Sequence, residues 1–127
     1  MNRLAGTASF VVAIALLVAP AFAAGDPAKG EKVFAKCKAC HATEAGKNRV
    51  GPSLAGLFGR TAGTVEGFKY SDSMKGSGIV WDDETVSKYL EAPKTYIPGN
   101  KMAFPGLKKP DDRDDVIAFL KQATGAQ

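Results

Sequence analysis

The chain has 127 residues, of which 45% are hydrophobic and 24% are charged, and its formal net charge is +4. This length allows one ordinary domain, and this composition argues against an intrinsically disordered chain. The positive excess is too modest to indicate a nucleic-acid-binding protein.

The chain begins with the pattern of a secretory signal peptide. Arg3 is the only charged residue before Asp26, positions 4–18 are apolar or small, and Ala21-Phe22-Ala23 offers small residues at both positions that a signal peptidase recognises. We therefore predict a cleaved signal over residues 1–23 and export to the periplasm, without stable membrane insertion. A retained membrane anchor is the alternative, because an uncleaved segment of this length could nearly span a bilayer.

The remaining residues, 24–127, form the predicted mature domain, and a core of this size is only marginally stabilising. Small domains often need a disulfide, a metal or a cofactor. Cys37 and Cys40 are the only cysteines, and a disulfide between residues this close in the chain would add little stability. We therefore expect another group to stabilise the fold.

The first predicted helix runs from about residue 27 to residue 38. Asp26 is a good N-cap, and proline suits the first helical position. Gly30 lies inside this helix, where a glycine costs about 1 kcal/mol relative to alanine. Its presence predicts a close crossing with the last helix, near Val116 and Phe119.

This helix leads into Cys37-Lys38-Ala39-Cys40-His41, the C-x-x-C-H pattern of covalent haem attachment. Two thiols at this spacing add across the vinyl groups of one porphyrin, and the adjacent His41 becomes an axial ligand of the iron. A thioredoxin-like site would instead follow a strand in a βαβ unit. A zinc site would need four ligands, and the chain has neither a third cysteine nor a second histidine. The motif therefore predicts one haem c.

Two further segments have helical patterns, and the remainder of the chain is loop. One runs from about residue 83 to residue 92, with Asp82 as its N-cap and Pro93 as its end. The other runs from about residue 111 to residue 124, with acidic residues at its start and Lys121 near its end, which suits the helix dipole. No run alternates with period two, so we expect no substantial sheet and an all-α fold.

The second axial ligand of the iron must be something other than histidine, since His41 is the only one in the chain. Met102 lies in a loop between Tyr96 and Gly106 that contains two Pro-Gly steps. A rigid loop can hold a thioether on iron with little further loss of conformational entropy. Loop chemistry favours Met102 and leaves Met74 as the alternative; in either case a sulfur ligand raises the reduction potential.

Other characteristic segments accompany these features: Gly51-Pro52-Ser53-Leu54, Gly56-Leu57-Phe58-Gly59-Arg60, Gly67-Phe68-Lys69-Tyr70-Ser71, Gly78-Ile79-Val80-Trp81 and Tyr89-Leu90-Glu91-Ala92-Pro93. With them, the chain from Asp26 to Gly125 resembles the class I c-type cytochromes, in particular mitochondrial cytochrome c and the soluble periplasmic cytochromes c of purple and related bacteria. The resemblance implies a monomer with a cytochrome c fold, in which three main helices and long loops wrap around one covalently bound haem. It also implies Met102 as the second axial ligand.

The resemblance further implies supporting roles for residues around the haem. The Pro52 carbonyl would accept the second N–H of His41, and Tyr89 would place its hydroxyl near the Met102 sulfur. Asn100 would hold the ligand loop, and three side chains would donate to a haem propionate: Arg60, Tyr70 and Trp81. Without the resemblance, we would interpret Pro52 as part of a loop turn and Tyr70 and Trp81 as ordinary core residues. Met74 departs from the family pattern, in which a polar residue such as asparagine is common at this position.

Lysines flank the haem-attachment and ligand segments, and acidic residues concentrate elsewhere, at 82–84 and 111–115. Lys36, Lys94 and Lys101 are the predicted docking residues, which would steer the protein onto acidic faces of membrane redox complexes. The resemblance implies a soluble electron carrier between a bc1-type complex and a terminal oxidase or photosynthetic reaction centre.

We expect no enzymatic activity from this chain. A peroxidase or a ligand sensor needs an open iron position and a polar distal group, and a methionine-bound iron without a distal histidine offers neither. A dedicated subunit of one dehydrogenase would carry a long docking extension, which the sequence does not contain.

Overall fold

The computed structural model describes residue 6, residues 9–17 and residues 24–126. Within these residues there are five helices: α1 (Pro27–Phe34), α2 (Asp72–Lys75), α3 (Asp83–Glu91), α4 (Pro93–Tyr96) and α5 (Pro110–Ala123). The only β pairing in the described part is an isolated antiparallel bridge between Thr61 and Val80. The predicted all-α class is confirmed.

Capping side chains set the starts of two of the long helices as predicted. The Asp26 carboxylate accepts the backbone N–H of Ala28 at 2.9 Å, at the start of α1. The Asp82 carboxylate accepts the backbone N–H of Thr85 at 2.8 Å, and the Thr85 hydroxyl oxygen accepts the N–H of Asp82 at 2.8 Å, which completes a capping box on α3. Each cap supplies acceptors to N–H groups that have no partner within the helix.

The end of α1 differs from the prediction. The helix ends at Phe34, and residues 35–40 continue as turns. The N–H of Cys37 donates to the Phe34 carbonyl at 2.8 Å, three residues back, and Cys40 repeats this pattern with Cys37 at 3.1 Å. These tighter turns replace the predicted last turn of helix. They also bring the two cysteines and His41 together, because the His41 N–H donates to the Cys37 carbonyl at 2.9 Å.

The crossing of α1 and α5 is as close as Gly30 predicted. A Cβ atom at Gly30 would overlap the backbone carbonyl of Asp115 and would lie 2.8 Å from the Cβ of Phe119. Next to the crossing, the rings of Phe34 and Phe119 have centroids 5.1 Å apart. The neighbours of the glycine are therefore Asp115 and Phe119, while Val116 is buried in the core.

The core is formed by α1, which contributes the buried Phe34, together with α3, α5 and the loops between the helices. Its buried members include Leu57, Trp81, Val86, Tyr89, Ile97, Leu107, Val116, Ile117 and Leu120. The rings of Trp81 and Tyr89 lie 5.2 Å apart between centroids. Several of these side chains also line a large cavity, so one side of the core faces that cavity instead of other protein atoms.

Arg113 is a buried cation in α5 that the sequence pattern does not predict. Its guanidinium donates to the Leu107 carbonyl at 2.8 Å, to the Lys108 carbonyl at 3.2 Å and to the Ser87 hydroxyl at 3.1 Å. The Glu91 carboxylate lies 4.0 Å from it. Arg113 therefore ties the segment between the Met102 loop and α5 to helix α3.

The N-terminal segment is described only in part. Residues 9–17 contain no helix, and their large apolar side chains are exposed, including Phe10 and Leu17. Arg3 and the predicted cleavage site at residues 21–23 lie outside the described residues. No helix in the described part of the chain is long and apolar enough to cross a membrane.

Candidate haem site

One cavity brings the predicted haem residues together. It is lined by Cys37, Cys40, His41 and Met102, with mostly apolar walls, and its empty space is about 1460 Å³ including its open mouth. The four residues come from two segments that are distant in sequence, the turns after α1 and the loop after α4. Convergence of both ligand candidates and both attachment thiols on one apolar space fits a large, flat, apolar group that carries an iron.

His41 is held in a single tautomer. Its Nδ1 atom lies 2.8 Å from the Pro52 carbonyl oxygen, and because a carbonyl only accepts, Nδ1 must carry the proton. The Nε2 atom then keeps the lone pair that a metal ligand needs. Burial lowers the pKa of His41, with the nearby Arg60 charge acting in the same direction against the Pro52 hydrogen bond. The lowered pKa favours the neutral imidazole, which is the form that binds a metal.

Gly51 packs directly on the His41 ring. A Cβ atom at this position would overlap the Cε1 atom of His41 and lie 2.8 Å from both ring nitrogens. The backbone of Gly51 is held in turn, because its N–H donates to the Cys40 carbonyl at 2.8 Å. Any larger residue here would push the imidazole out of its orientation, so the loop needs glycine for close approach.

The two cysteines are half-buried thiols that form no disulfide. Burial raises the pKa of the Cys37 thiol, and Cys40 adds to this while Lys36 opposes it. A raised thiol pKa disfavours the thiolate that a thioredoxin-like site or a zinc site depends on. The Cys37 thiol therefore lacks the lowered pKa that is typical of a reactive redox or zinc-binding cysteine.

Met102 is supported by a buried amide and a buried phenol. The Asn100 side-chain oxygen accepts the Met102 N–H at 2.8 Å, and its amide nitrogen donates to the carbonyls of Pro93 at 2.8 Å and Ile97 at 2.9 Å. The Tyr89 hydroxyl lies 3.3 Å from the Asn100 oxygen and 3.8 Å from the Met102 sulfur. Burial raises the pKa of Tyr89 to about 12, so the hydroxyl keeps its proton, which it can donate to the Asn100 oxygen or to the thioether.

Three further side chains line the same cavity and have donor capacity left over. The Arg60 guanidinium uses one nitrogen to donate to the carbonyls of Ser53 at 3.2 Å and Ala55 at 2.8 Å. The Tyr70 hydroxyl oxygen accepts the Val65 N–H at 3.2 Å, and its own proton stays available. Burial lowers the pKa of Arg60 and raises that of Tyr70. A cation and a hydroxyl donor therefore face a cavity whose walls are otherwise apolar.

Trp81, the third of these side chains, is buried and lines the same cavity. Within the described part of the protein, every fully buried side-chain nitrogen or oxygen has a hydrogen-bond partner. Among the hydrogen bonds of this part of the protein, none is donated by the Trp81 indole N–H to a protein acceptor. A buried indole N–H usually finds a partner, and an acceptor inside the cavity would supply one.

The family model described as Cytochrome c matches residues 27–124 of this sequence. The chain belongs to the cytochrome c family. It is 64% identical over 88 residues to cytochrome c2 iso-2 of Magnetospirillum molischianum, covering 69% of this chain and 91% of that protein. It is 55% identical over 108 residues to cytochrome c2 of Rhodomicrobium vannielii, covering 84% of this chain and 86% of that protein. Among solved structures, cytochrome cH from Methylobacterium extorquens aligns with a TM-score of 0.73 and 48% identity, covering 77% of this chain and 99% of that one.

Family membership and the cavity together confirm the predicted cofactor. Haem c in this family is bound covalently, and the residues fit it: Cys37 and Cys40 for the thioethers and His41 and Met102 for the iron. The apolar walls fit the porphyrin face. The predicted supporting residues Pro52, Arg60, Tyr70, Trp81, Tyr89 and Asn100 lie at or beside the cavity, and their roles toward the haem stay predictions.

The remaining predicted residues are distributed around the cavity mouth. Met74 lines the same cavity as Met102, so the departure from the family pattern places a second thioether in the wall. Lys36 and Lys101 line the cavity and are exposed. Lys94 lies instead in a pocket beside it, and the two hollows share Ala103 and Phe104.

Sequence reasoning missed one feature of the mouth, the exposed side chain of Val50. It lines the cavity and is 78% exposed. A single valine in a loop carries no signal of exposure, because its position depends on the hydrogen bonds that fold the loop around Gly51. The mouth therefore combines exposed lysines with an exposed apolar contact.

Proposed function

We propose that the protein is a periplasmic electron carrier with one haem, which takes single electrons from a bc1-type complex and delivers them to a terminal oxidase or a photosynthetic reaction centre. The observation that carries the proposal is the presence of His41 and Met102 on one cavity. Haem c supplies an iron that alternates between Fe(II) and Fe(III). If His41 and Met102 both bound the iron, no position would be left for a substrate, and the site would favour outer-sphere electron exchange.

The side chains around the cavity would favour the reduced state and retain the cofactor. A thioether ligand favours Fe(II), and the Tyr89 hydroxyl beside the Met102 sulfur helps to hold it in place. A buried haem propionate would be expensive without partners. Arg60, Tyr70 and Trp81 would supply a cation and two donors for charge-assisted hydrogen bonds.

The docking surface in this proposal is the lysine face, defined as Lys36, Lys94, Lys101 and the apolar Val50. All four side chains are exposed, and they surround the cavity or the hollow next to it. Clustered positive charge would steer the protein toward an acidic partner and fix its orientation. Val50 would contribute an apolar contact at the centre of a short-lived complex.

Periplasmic location rests on the proposed signal peptide, residues 1–23. The apolar side chains of residues 9–17 are exposed, and the folded domain begins at the Asp26 cap. N-terminal sequencing of the haem-loaded protein from its producing cells would test the proposal. A start at Ala24 supports cleavage, and a start at Met1 or Asn2 supports a retained anchor instead.

Electron-transfer kinetics with an acidic oxidase or reaction centre test the docking surface. We expect the second-order rate constant to fall as salt is added, because exposed charges are screened beyond about 8 Å at physiological ionic strength. Lys36→Glu or Lys101→Glu should lower that rate constant about tenfold at low salt, within the range over which electrostatic steering acts. The reduction potential should change little, since solvated charges interact weakly with the iron.

The matched control is Lys75→Glu, an exposed lysine that lines neither hollow. Lys121 is less suitable, because its ammonium pairs with the Asp83 carboxylate at 2.6 Å and its reversal would also disturb packing. Rates that do not depend on salt, or equal slowing by Lys36→Glu and Lys75→Glu, would refute a localised lysine face.

A further inference from the structure

One peptide group links the axial ligand His41 to a side chain that sequence reasoning left without a role. The Pro52 carbonyl oxygen accepts the His41 Nδ1 proton at 2.8 Å. The N–H of Ser53, which belongs to the same peptide unit, donates to the Asn48 side-chain oxygen at 2.9 Å. Asn48 is therefore connected to the imidazole through a single planar amide.

The surroundings of this peptide make the connection strong and rigid. Ser53 is only 2% exposed, and hydrogen bonds are electrostatically stronger at such low local dielectric. The chain is held on both sides, because the Gly51 N–H donates to the Cys40 carbonyl at 2.8 Å and the Leu54 N–H donates to the Ala42 carbonyl at 2.9 Å. Loss of the Asn48 side chain should therefore leave the peptide in place.

An acceptor on the N–H of an amide polarises the whole group and places more negative charge on its carbonyl oxygen. A more negative Pro52 oxygen draws the Nδ1 proton of His41 more strongly, which makes the imidazole a better electron donor. Stronger donation stabilises Fe(III) relative to Fe(II). We propose that Asn48 is a positioning residue that strengthens His41 as a ligand through the Pro52–Ser53 peptide and so lowers the reduction potential.

Asn48 also has a purely structural contact, which the test must separate from this effect. Its amide nitrogen donates to the Glu66 carbonyl at 3.0 Å and so ties two loops together. Asn48→Ala removes both the acceptor and the donor. Asn48→Asp keeps an acceptor for the Ser53 N–H, makes it stronger by its charge, and removes the donor to Glu66.

The experiment uses the intact haem-loaded protein and measures the reduction potential, the proton NMR signal and exchange rate of the His41 Nδ1–H in the reduced state, and the free energy of unfolding. For Asn48→Ala we expect the Fe(II)-to-Fe(III) equilibrium to shift about two- to fivefold toward Fe(II), which corresponds to a rise of about 20–40 mV. The Nδ1 proton should exchange faster and its signal should move upfield as its hydrogen bond weakens. Asn48→Asp should shift both the potential and the signal in the opposite direction.

Lys47→Gln is the matched control for charge, because it changes the charge by one unit at the neighbouring exposed position without touching the peptide. It should lower the potential slightly and leave the Nδ1 signal of His41 unchanged. The proposal is overturned if Asn48→Ala and Asn48→Asp lower the stability alike while the Nδ1 signal stays at its original position, since Asn48 would then only tie the loops. It is also overturned if Asn48→Asp moves the potential no further than Lys47→Gln does.

The inference rests on His41 as an axial ligand within the proposed function, but not on the choice of redox partners. The absorption band that reports the bond from sulfur to iron monitors the Met102 side independently. A variant that keeps this band while the Nδ1 signal moves isolates the effect to the His41 side. Failure of the docking kinetics would leave this result unaffected.

Discussion

The two sides of the haem site hold their ligands by different means. On the His41 side, the imidazole meets the Pro52 carbonyl and the backbone of Gly51, so main-chain groups set its position. On the Met102 side, the position depends on one side chain, that of Asn100. It accepts the Met102 N–H and donates to the carbonyls of Pro93 and Ile97. A backbone contact survives most substitutions, whereas a side-chain contact is lost with one. The sulfur side should therefore be the weaker of the two.

The largest expected effect comes from removing the haem that both sides share. Core side chains such as Trp81, Val86 and Leu120 line the cavity, and without haem they would be left facing water. We expect Cys37→Ala combined with Cys40→Ala to give a haem-free chain that is largely unstructured, because the domain is too small to fold on its remaining core. Circular dichroism during thermal unfolding provides the measurement.

Cys37→Ala alone is the control for this double variant, because one thioether can still retain the haem and the fold with it. A cooperative thermal transition with native-like helix content in the haem-free double variant would contradict this prediction. It would show that the His41 side and the Met102 side of the site both fold without the cofactor.

The next largest effect is the loss of the sulfur ligand. Met102→Ala should abolish the weak far-red band from sulfur to iron and allow carbon monoxide to bind the reduced haem. The potential should fall by on the order of 0.1–0.2 V, since axial ligands set haem potentials over about 0.8 V. Absorption spectra with and without carbon monoxide measure the first two changes. Met74→Ala is the matched control and should keep the band; the reverse result would make Met74 the ligand.

A smaller effect is expected when Met102 is kept and only the hydrogen bonds that hold its loop are removed. Asn100→Ala should lower the free energy of unfolding by about 1–3 kcal/mol, because it leaves buried partners without hydrogen bonds. The far-red band should disappear on heating before the helices unfold, while the His41 side stays intact. Thr95→Ala is exposed and close to the same loop, and it should change neither quantity. If the far-red band and the helices of Asn100→Ala were lost at the same temperature, the Met102 side of the haem site would be as stable to heating as the His41 side.

The smallest effect is expected outside both ligand segments, at the α3 cap. Asp82→Ala should cost about 1 kcal/mol at pH 7, a typical value for an N-cap, and leave the far-red band unchanged. The hydrogen bond from the Thr85 N–H is the main cause that lowers the pKa of Asp82. A carboxyl whose pKa is lower in the folded state stabilises the fold above its unfolded pKa of about 3.9, and this contribution disappears as the pH falls through the folded value.

The free energy of unfolding of both proteins, measured in denaturant between pH 7 and pH 3, checks this prediction. The difference between them should shrink below about pH 4. A difference that stays constant over this range would show that the charge of Asp82 is not what caps the helix.

Local signals explain which parts of the fold the sequence predicted. The caps at Asp26 and Asp82 act within three residues of their own position, so they can be recognised without knowledge of the rest of the chain. Helices α2 and α4 were missed because each is a single turn of four residues. A pattern of helical period needs more residues than that to become visible.

Contacts between distant segments explain what the sequence did not predict. Arg113 stands among acidic residues and would be expected in water, yet its acceptors come from the loop before α5 and from Ser87. Lys121 lies in the last turn of α5 as predicted. The sequence did not predict that its ammonium also pairs with Asp83 of α3 and lies 5.7 Å from the Phe58 ring. The haem ligands were recognised because their motif and the family resemblance carry information that contacts between loops do not.

The crossing of α1 and α5 also has a consequence for timing. The Asp26 N–H donates to the carboxylate of Asp115, 89 residues further along the chain, at 2.7 Å. A chain synthesised from its N-terminus presents Cys37 and Cys40 before Asp115, so this contact can form only once the last helix is present. The crossing therefore joins the first and the last helix of the domain, and it needs both ends of the domain to be present.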